Sequence, residues 1–214
     1  MKRKLAIIGA GDLGVQIAHH ASTCGYEVVG YFCNIRESGT EVHRTPILGP
    51  FSSICEFYEK KFYDSLVCGI GYQQFDLRKK VFNDYSGVIP FAKLIHPNTI
   101  LDRSVEIGDG SIVLAGNVLD MNVRIGNNVF MNVSGCVAHD SVIGDHSFLA
   151  PAVRIAGMVR IGESCFLGIG SVIKDNIDIL SDARIGAGAV VVAKVERPKI
   201  FYIGVPAKPI RNSL

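Results

Sequence analysis

From Ile95 to Val191, one residue in every six is aliphatic or Met without a break. Ile95, Leu101, Ile107, Val113, Leu119, Ile125, Met131, Val137, Ile143, Leu149, Ile155, Ile161, Leu167, Ile173, Ile179, Ile185 and Val191 are seventeen consecutive steps. In a chain that is 48% hydrophobic, chance gives such a run roughly a few times in a million for a given register. The repeat is therefore structural. It fits neither the helical period nor the strict alternation of a half-buried strand. A short fixed repeat marks a β-solenoid, in which each unit buries its apolar face only against its neighbours. Three hexapeptides make one triangular coil of about 18 residues, with the aliphatic positions inside. Gly follows the aliphatic residue at 108, 126, 144, 162, 168 and 186, and the fifth position is small or β-branched, as at Val105, Ser111, Ser141 and Val159. Those glycines are expected to relieve the backbone at corners that need unusual dihedral angles.

Residues 1–90 carry no such repeat. Leu5–Ile8 reads as an apolar strand, followed by the turn Gly9-Ala10-Gly11-Asp12-Leu13-Gly14. Val15–Cys24 reads as a helix stopped at Gly25. Strands are expected at Glu27–Phe32 and Ser65–Gly69, with helices near Ser52–Lys60 and Leu77–Asn83. Strands alternating with helices imply a small parallel α/β sheet. The expected organisation is a Rossmann-like domain over residues 1–90, then a parallel β-helix domain with its tail over 91–214.

A Gly-rich turn after a first strand can bind a nicotinamide dinucleotide. The acidic residue that motif needs after strand two is absent, since the segment reads Tyr31-Phe32-Cys33-Asn34. The turn reads better as a site for a phosphate or sugar hydroxyl at a helix N-terminus. A tight turn that simply needs glycines is the plain alternative.

A net charge of +2 argues against nucleic acid, and no apolar run is long enough to insert into a membrane. The six cysteines show no metal-ligand spacing and read as small hydrophobes in a reducing, cytoplasmic protein. No metal site is expected. Among the histidines, His19 and His20 fall on the first helix, His43 in a loop and His96 in the first half-coil. His146 reads as a solvated turn residue. His139 lies two residues after the inward Val137, near a corner, and Asp140 follows it directly. Adding one coil to 139 gives Gly157, so the position above His139 carries no side chain, which leaves room beside the imidazole.

The landmarks Gly9–Gly14, Gly69-Ile70-Gly71 followed by Arg78, Leu94-Ile95-His96, Asn132 with His139-Asp140, Phe166-Leu167-Gly168 and Gly204-Val205-Pro206-Ala207-Lys208 span the whole chain. In these the chain resembles the bacterial acyltransferases that modify nucleotide-linked aminosugars, together with the related sialic-acid O-acetyltransferases. It departs from them at Leu13, where members often carry His, and at Cys33-Asn34, where they often carry an Asp pair. These departures leave the nucleotide and the sugar open.

The resemblance implies a left-handed β-helix and an acetyl-CoA-dependent enzyme. It implies N-acetylation of a nucleotide-linked amino-deoxysugar, such as a 4-amino-4,6-dideoxyhexose, serving surface-glycan (lipopolysaccharide O-antigen) synthesis. His139 becomes the general base, Asp140 its orienting acid, and Asn132 a substrate contact. Coenzyme A contacts fall on Phe148, Gly157, Ile169 and Ala187, the last two in one column with Pro151. Small residues there could equally serve coil stacking. Substrate contacts fall on Gly11, Leu13, Gly14, Val15, Cys33, Asn34, Gly71 and Tyr72. Arg78 would meet a phosphate or else form an exposed helical salt bridge. The resemblance further implies a homotrimer with each site built from two chains. Sugar O-acetylation and a non-catalytic nucleotide-sugar-binding solenoid are the competing readings.

Overall fold

The apolar segment near the N-terminus forms β1 (Arg3–Ile8) in the computed structural model, which describes residues 2–210. It is followed by α1 (Asp12–Ala21), β2 (Tyr26–Phe32), β3 (Glu41–Val42), β4 (Thr45–Gly49), α2 (Ile54–Glu59), β5 (Ser65–Cys68) and α3 (Phe75–Tyr85). The sheet runs β3-β4-β2-β1-β5. β1 pairs in parallel with β2 and β5, and β2 pairs in parallel with β4. β1 is an interior strand, between β2 and β5, and Leu5 to Ile8 have no exposed surface. Burial on both faces is why this strand reads as a continuous apolar run.

The edge hairpin of β3 and β4 is not legible in the sequence. Its two-residue turn is His43-Arg44, both with positive φ (49° and 66°). Hairpin turns of this kind normally announce themselves with Asn-Gly or Asp-Gly. The second strand of this hairpin, Thr45–Gly49, leads into the helix expected near Ser52–Lys60, which forms over Ile54–Glu59.

The chain divides into two units, Met1–Leu94 and Ile95–Leu214, where the sequence reading divides it after residue 90. The second unit is a parallel β-helix. Two-residue strands recur every six residues from Ile100–Leu101 to Val190–Val191. They stack into three parallel sheets with a register of 18 residues, for example Cys136 on Val118 and Arg154 on Cys136. Every inward aliphatic from Val113 to Val191 is at most 3% exposed. Each contributes about 1.5–3 kcal/mol relative to exposure. Ile95, Ile107 and Leu101 are less covered, because the first coil has no full coil on its outer side.

The corners differ from expectation. From residue 110 to residue 188 every sixth residue has positive φ, and most of these are not glycine: Asn122, Asn128, Ser134, Asp140, His146, Ala152, Met158, Ser164, Asn176 and Asp182. The glycines that follow the aliphatic positions are not in that conformation. They are small because coils touch there: a Cβ on Gly108 or on Gly144 would lie 2.5 Å from the carbonyl carbon of Gly126 or Gly162. The fifth-position serines Ser111, Ser141 and Ser147 tie coils together. Ser141 Oγ donates to Ala156 O (2.9 Å) and accepts from Val159 N (3.1 Å). Among the described residues no helix is long and apolar enough to cross a membrane.

Candidate functional site

In the first unit, three glycines bring the carboxyl ends of β1 and β5 against α1. Gly9 adopts φ 105° and donates to Phe32 O (2.8 Å). A methyl group on Gly14 would collide with the Gly9 carbonyl oxygen, and one on Gly69 would lie 2.8 Å from Gly14 Cα. Gly14 therefore serves backbone packing beneath the crevice. Gly11, Leu13, Val15, Cys33, Asn34, Gly71 and Tyr72 all lie at this carboxyl edge of adjacent parallel strands, where open α/β sheets bind ligands. A Cβ at Gly11 or Gly71 would meet nothing within 4 Å, so both leave open space there. Asn34 also acts locally, since its Oδ1 accepts from Phe51 N (2.8 Å) and pins the turn before α2.

Arg78 corrects the sequence reading. It is fully buried, and Nη1 donates to Cys68 O (3.2 Å) and Ile70 O (2.9 Å). It holds the turn after β5 from beneath, and is neither a surface phosphate ligand nor an exposed salt bridge. A buried guanidinium bonded to carbonyls satisfies two acceptors that this turn leaves outside the sheet ladder.

In the second unit, His139 and Asp140 occupy the corner between strands Cys136–Val137 and Val142–Ile143. His139 Nδ1 and Asp140 Oδ2 are 2.9 Å apart, and the two side chains are 40% and 42% exposed. Asp140 Oδ1 accepts from Asn122 Nδ2 (3.0 Å). The Asn122 amide first, and the His139 contact second, hold the Asp140 carboxyl below its ordinary range. An ionised carboxylate only accepts, so Nδ1 carries the ring proton and Nε2 keeps its lone pair.

The coil arithmetic places Gly157 against His139, but the room it leaves is not empty. A Cβ there would lie 2.6 Å from Nε2 and 2.7 Å from Cε1. The imidazole itself fills the space, so Gly157 admits the ring rather than a thioester. His146 is a second correction. It is 4% exposed, and its Nδ1 lies 3.1 Å from Asn128 Nδ2 one coil earlier, so it is a buried, bonded corner residue.

The remaining proposed contacts gather on a different edge. His139, Asp140 and Gly157 belong to the edge made by residues 138–141 and 156–159. Asn132, Pro151, Ile169 and Ala187 belong to the preceding edge, made by 132–135, 150–153, 168–171 and 186–189. The sheet that contains Cys136–Val137 and Arg154–Ile155 lies between the two edges. The second edge is open: Ile169 is 55% exposed, and a Cβ at Gly170 or Gly188 would meet nothing within 4 Å. Phe148 is 6% exposed and stacks between Phe130 and Phe166, ring centroids 4.8 and 6.0 Å away. This aromatic ladder accounts for Phe148 by packing. Among the described residues no group of three or more His, Cys, Asp or Glu could hold a metal ion.

Asn122 is the site residue that the sequence reading passes over. Its signal is the register: it stands one coil before Asp140, as Gly157 stands one coil after His139.

Residues 4–85 match the PglD N-terminal domain family. A search of curated proteins by sequence gave no significant match. Among solved structures, the chain is similar to the acetyltransferase domain of PglB from Neisseria gonorrhoeae FA1090 in complex with acetyl coenzyme A. Identity is 27% and the TM-score 0.88, over 98% of this chain and 100% of that chain. It is similar to PerB from Caulobacter crescentus in complex with CoA and GDP-perosamine (29% identity, TM-score 0.88, 97% of each chain). It is also similar to WeeI from Acinetobacter baumannii AYE (26% identity, TM-score 0.80, 96% of this chain and 99% of that one).

Proposed function

We propose that this chain, with a first domain of the PglD N-terminal family and the left-handed β-helix of the hexapeptide-repeat acyltransferases, is an acetyl-CoA-dependent N-acetyltransferase. Its acceptor is the amino group of a nucleotide-linked amino-deoxysugar, such as a 4-amino-4,6-dideoxyhexose. The observation that carries the reading is the His139–Asp140 pair on a prism edge, with Nδ1 engaged at 2.9 Å and Nε2 left as base. The similarity of the whole chain to sugar acetyltransferases solved with coenzyme A and GDP-perosamine supports the choice of substrates.

His139 Nε2 takes the proton that the amine nitrogen loses as its lone pair forms the new N–C bond, and returns it to the sulfur as the C–S bond breaks. Asp140 keeps the imidazole in the tautomer that makes this possible and stabilises the imidazolium. Acetyl-CoA supplies an acyl group already activated as a thioester. The open corner of Ile169, Gly170, Ala187 and Gly188 suits a narrow pantetheine arm, because a Cβ at either glycine would point into space. Asn132 lies on that same edge and would meet the acceptor or the acyl oxygen. The crevice of Gly11, Leu13, Cys33, Asn34, Gly71 and Tyr72 would hold the nucleotide, with the N-terminus of α1 favouring its phosphates.

One prism places His139 and the Ile169 column on separate edges. A homotrimer of parallel prisms sets one edge of each chain against another edge of its neighbour, which supports sites shared between subunits. Thiol release from acetyl-CoA, measured with a nucleotide 4-amino-sugar and in parallel with a sialic acid, tests the assignment. Turnover of the hydroxyl acceptor alone would move it to O-acetylation. A wild-type protein that shows no calorimetric binding of coenzyme A would reduce it to a non-catalytic solenoid. His139→Ala is expected to lose at least about a hundredfold in kcat. Equal rates in mutant and wild type would remove His139 as the base.

A further inference from the structure

We propose that Asn122 is a positioning residue for the reaction: it fixes the carboxylate that orients His139. The inference rests on the reading of His139 as proton acceptor and extends it one coil further along the prism. Asp140 has two oxygens and each has one donor. Oδ1 receives Asn122 Nδ2 at 3.0 Å, and Oδ2 receives His139 Nδ1 at 2.9 Å. With both oxygens engaged, rotation of the carboxylate is restrained, and Oδ2 stays where it selects the Nδ1–H tautomer.

Asn122 is itself held in place. Its backbone N donates to Ser104 Oγ (2.8 Å), and Ser104 Oγ donates to Asp102 Oδ1 (2.6 Å). Ser104, Asn122 and Asp140 occupy equivalent corner positions in three successive coils, 18 residues apart. The network therefore runs along the prism edge and ends on the imidazole.

A purely structural account would be that Asn suits the positive φ at this corner, 59°. That account is incomplete, because equivalent corners are occupied by Ser134, Ala152 and Met158 in the same conformation. The conformation does not call for an amide, whereas the Asp140 oxygen does. The lowering of the Asp140 carboxyl, with the Asn122 bond as its largest cause, agrees with this geometry. The charged groups that share the groove with Asn122 and Asp140 are Glu106, Arg124 and Arg160, of which Glu106 and Arg124 pair at 3.6 Å. None of them changes when Asn122 is replaced, so they provide a constant background.

The experiment uses the full chain with Asn122→Gly, which accepts the positive φ but lacks the amide, and Asn122→Asp, which sets a second carboxylate against Asp140. Carboxyl ¹³C resonances give the Asp140 titration midpoint, ¹⁵N resonances give the His139 tautomer, and steady-state kinetics give kcat and KM. In Asn122→Gly the midpoint is expected to rise, the Nδ1–H tautomer to lose population, and kcat to fall about tenfold with KM for acetyl-CoA unchanged. In Asn122→Asp the midpoint is expected to rise further, because like charges disfavour joint ionisation. An unmoved midpoint in Asn122→Gly, or a moved midpoint with wild-type kcat, overturns the proposal. So does a loss of kcat that only follows the melting temperature. If the wild-type protein acetylates no amine, the functional reading fails by itself, while the two NMR readouts still decide whether Asn122 governs Asp140 and His139.

Discussion

Replacing Gly157 by Ala is the sharpest probe of the His139 corner. Gly157 lacks the positive φ that would strain an L-residue, so the backbone accepts the change. The added methyl would lie 2.6 Å from His139 Nε2 and 2.7 Å from Cε1. Nonbonded contacts to carbon settle near 3.5–4.0 Å. The imidazole must then retreat by about 1 Å, or rotate outward through its exposed side. Either movement disturbs the 2.9 Å contact with Asp140 and displaces the proposed base. A misplacement of about 1 Å costs on the order of a hundredfold in rate. The cost in stability should be at or below the low end of the roughly 1–3 kcal/mol typical of overpacking, because a half-exposed ring can yield. The assay is kcat for thiol release alongside a thermal melt. Gly87→Ala serves as control, since a Cβ there meets nothing within 4 Å. Turnover by Gly157→Ala within about twofold of wild type would refute this reasoning, because the reaction would then not depend on where the imidazole sits.

Four further outcomes follow from other parts of the molecule. Gly14→Val should destabilise the first unit by about 1–3 kcal/mol or more in urea denaturation, because its side chain would meet the Gly9 carbonyl; an unchanged midpoint would contradict the close approach of α1 and β1. Arg78→Met should lower the melting temperature of the first unit, since it orphans the carbonyls of Cys68 and Ile70 at roughly 1–3 kcal/mol each; a wild-type melt would show that the turn does not need the guanidinium. Burial pushes the Cys68 thiol up, and that of Cys165 up to about 11. Both should resist a thiol reagent at pH 8 in the native protein, while Cys33, Cys55 and Cys136 label first; six fast thiols would rule this out. Asp140 has a depressed folded-state carboxyl, so its stabilising effect is present above the ordinary carboxylate range, near pH 4, and fades as the pH falls through the lower folded value. The melting difference between wild type and Asp140→Asn should therefore shrink in acid, and a difference constant from pH 7 to pH 2 would contradict it.

The prism was legible because its core is periodic. An aliphatic residue every six positions can be satisfied only by stacking, so counting from Ile95 to Val191 is already a statement about burial. The same periodicity exposed one part of the site, since one coil forward from His139 is Gly157; Asn122, one coil back from Asp140, was passed over, because the register alone does not show that its amide meets the carboxylate. What Gly157 makes room for was not legible, because it depends on the rotamer of the His139 ring. His146 illustrates the same limit. A polar turn sequence suggests solvent, yet the adjacent coil puts Asn128 against it and buries both. Arg78 sits at a helical position that reads as surface, and its burial follows from the turn after β5 folding over it. The β3–β4 hairpin escaped because His43 and Arg44 take up a conformation usually left to Gly and Asn.

By itself, then, the sequence determined the period of the solenoid, the alternation of strands and helices before it, and the candidate His-acid pair. These depend on local spacing, which a chain carries with it however it folds. Only the tertiary structure decided which polar groups are buried, which carbonyls Arg78 serves, and that His139 and the Ile169 column stand on different edges of the prism. Those outcomes depend on contacts between separate elements, 8 and 10 residues apart for Arg78 and 18 apart between coils, where the direction of a side chain, and not its place in the sequence, sets the physics.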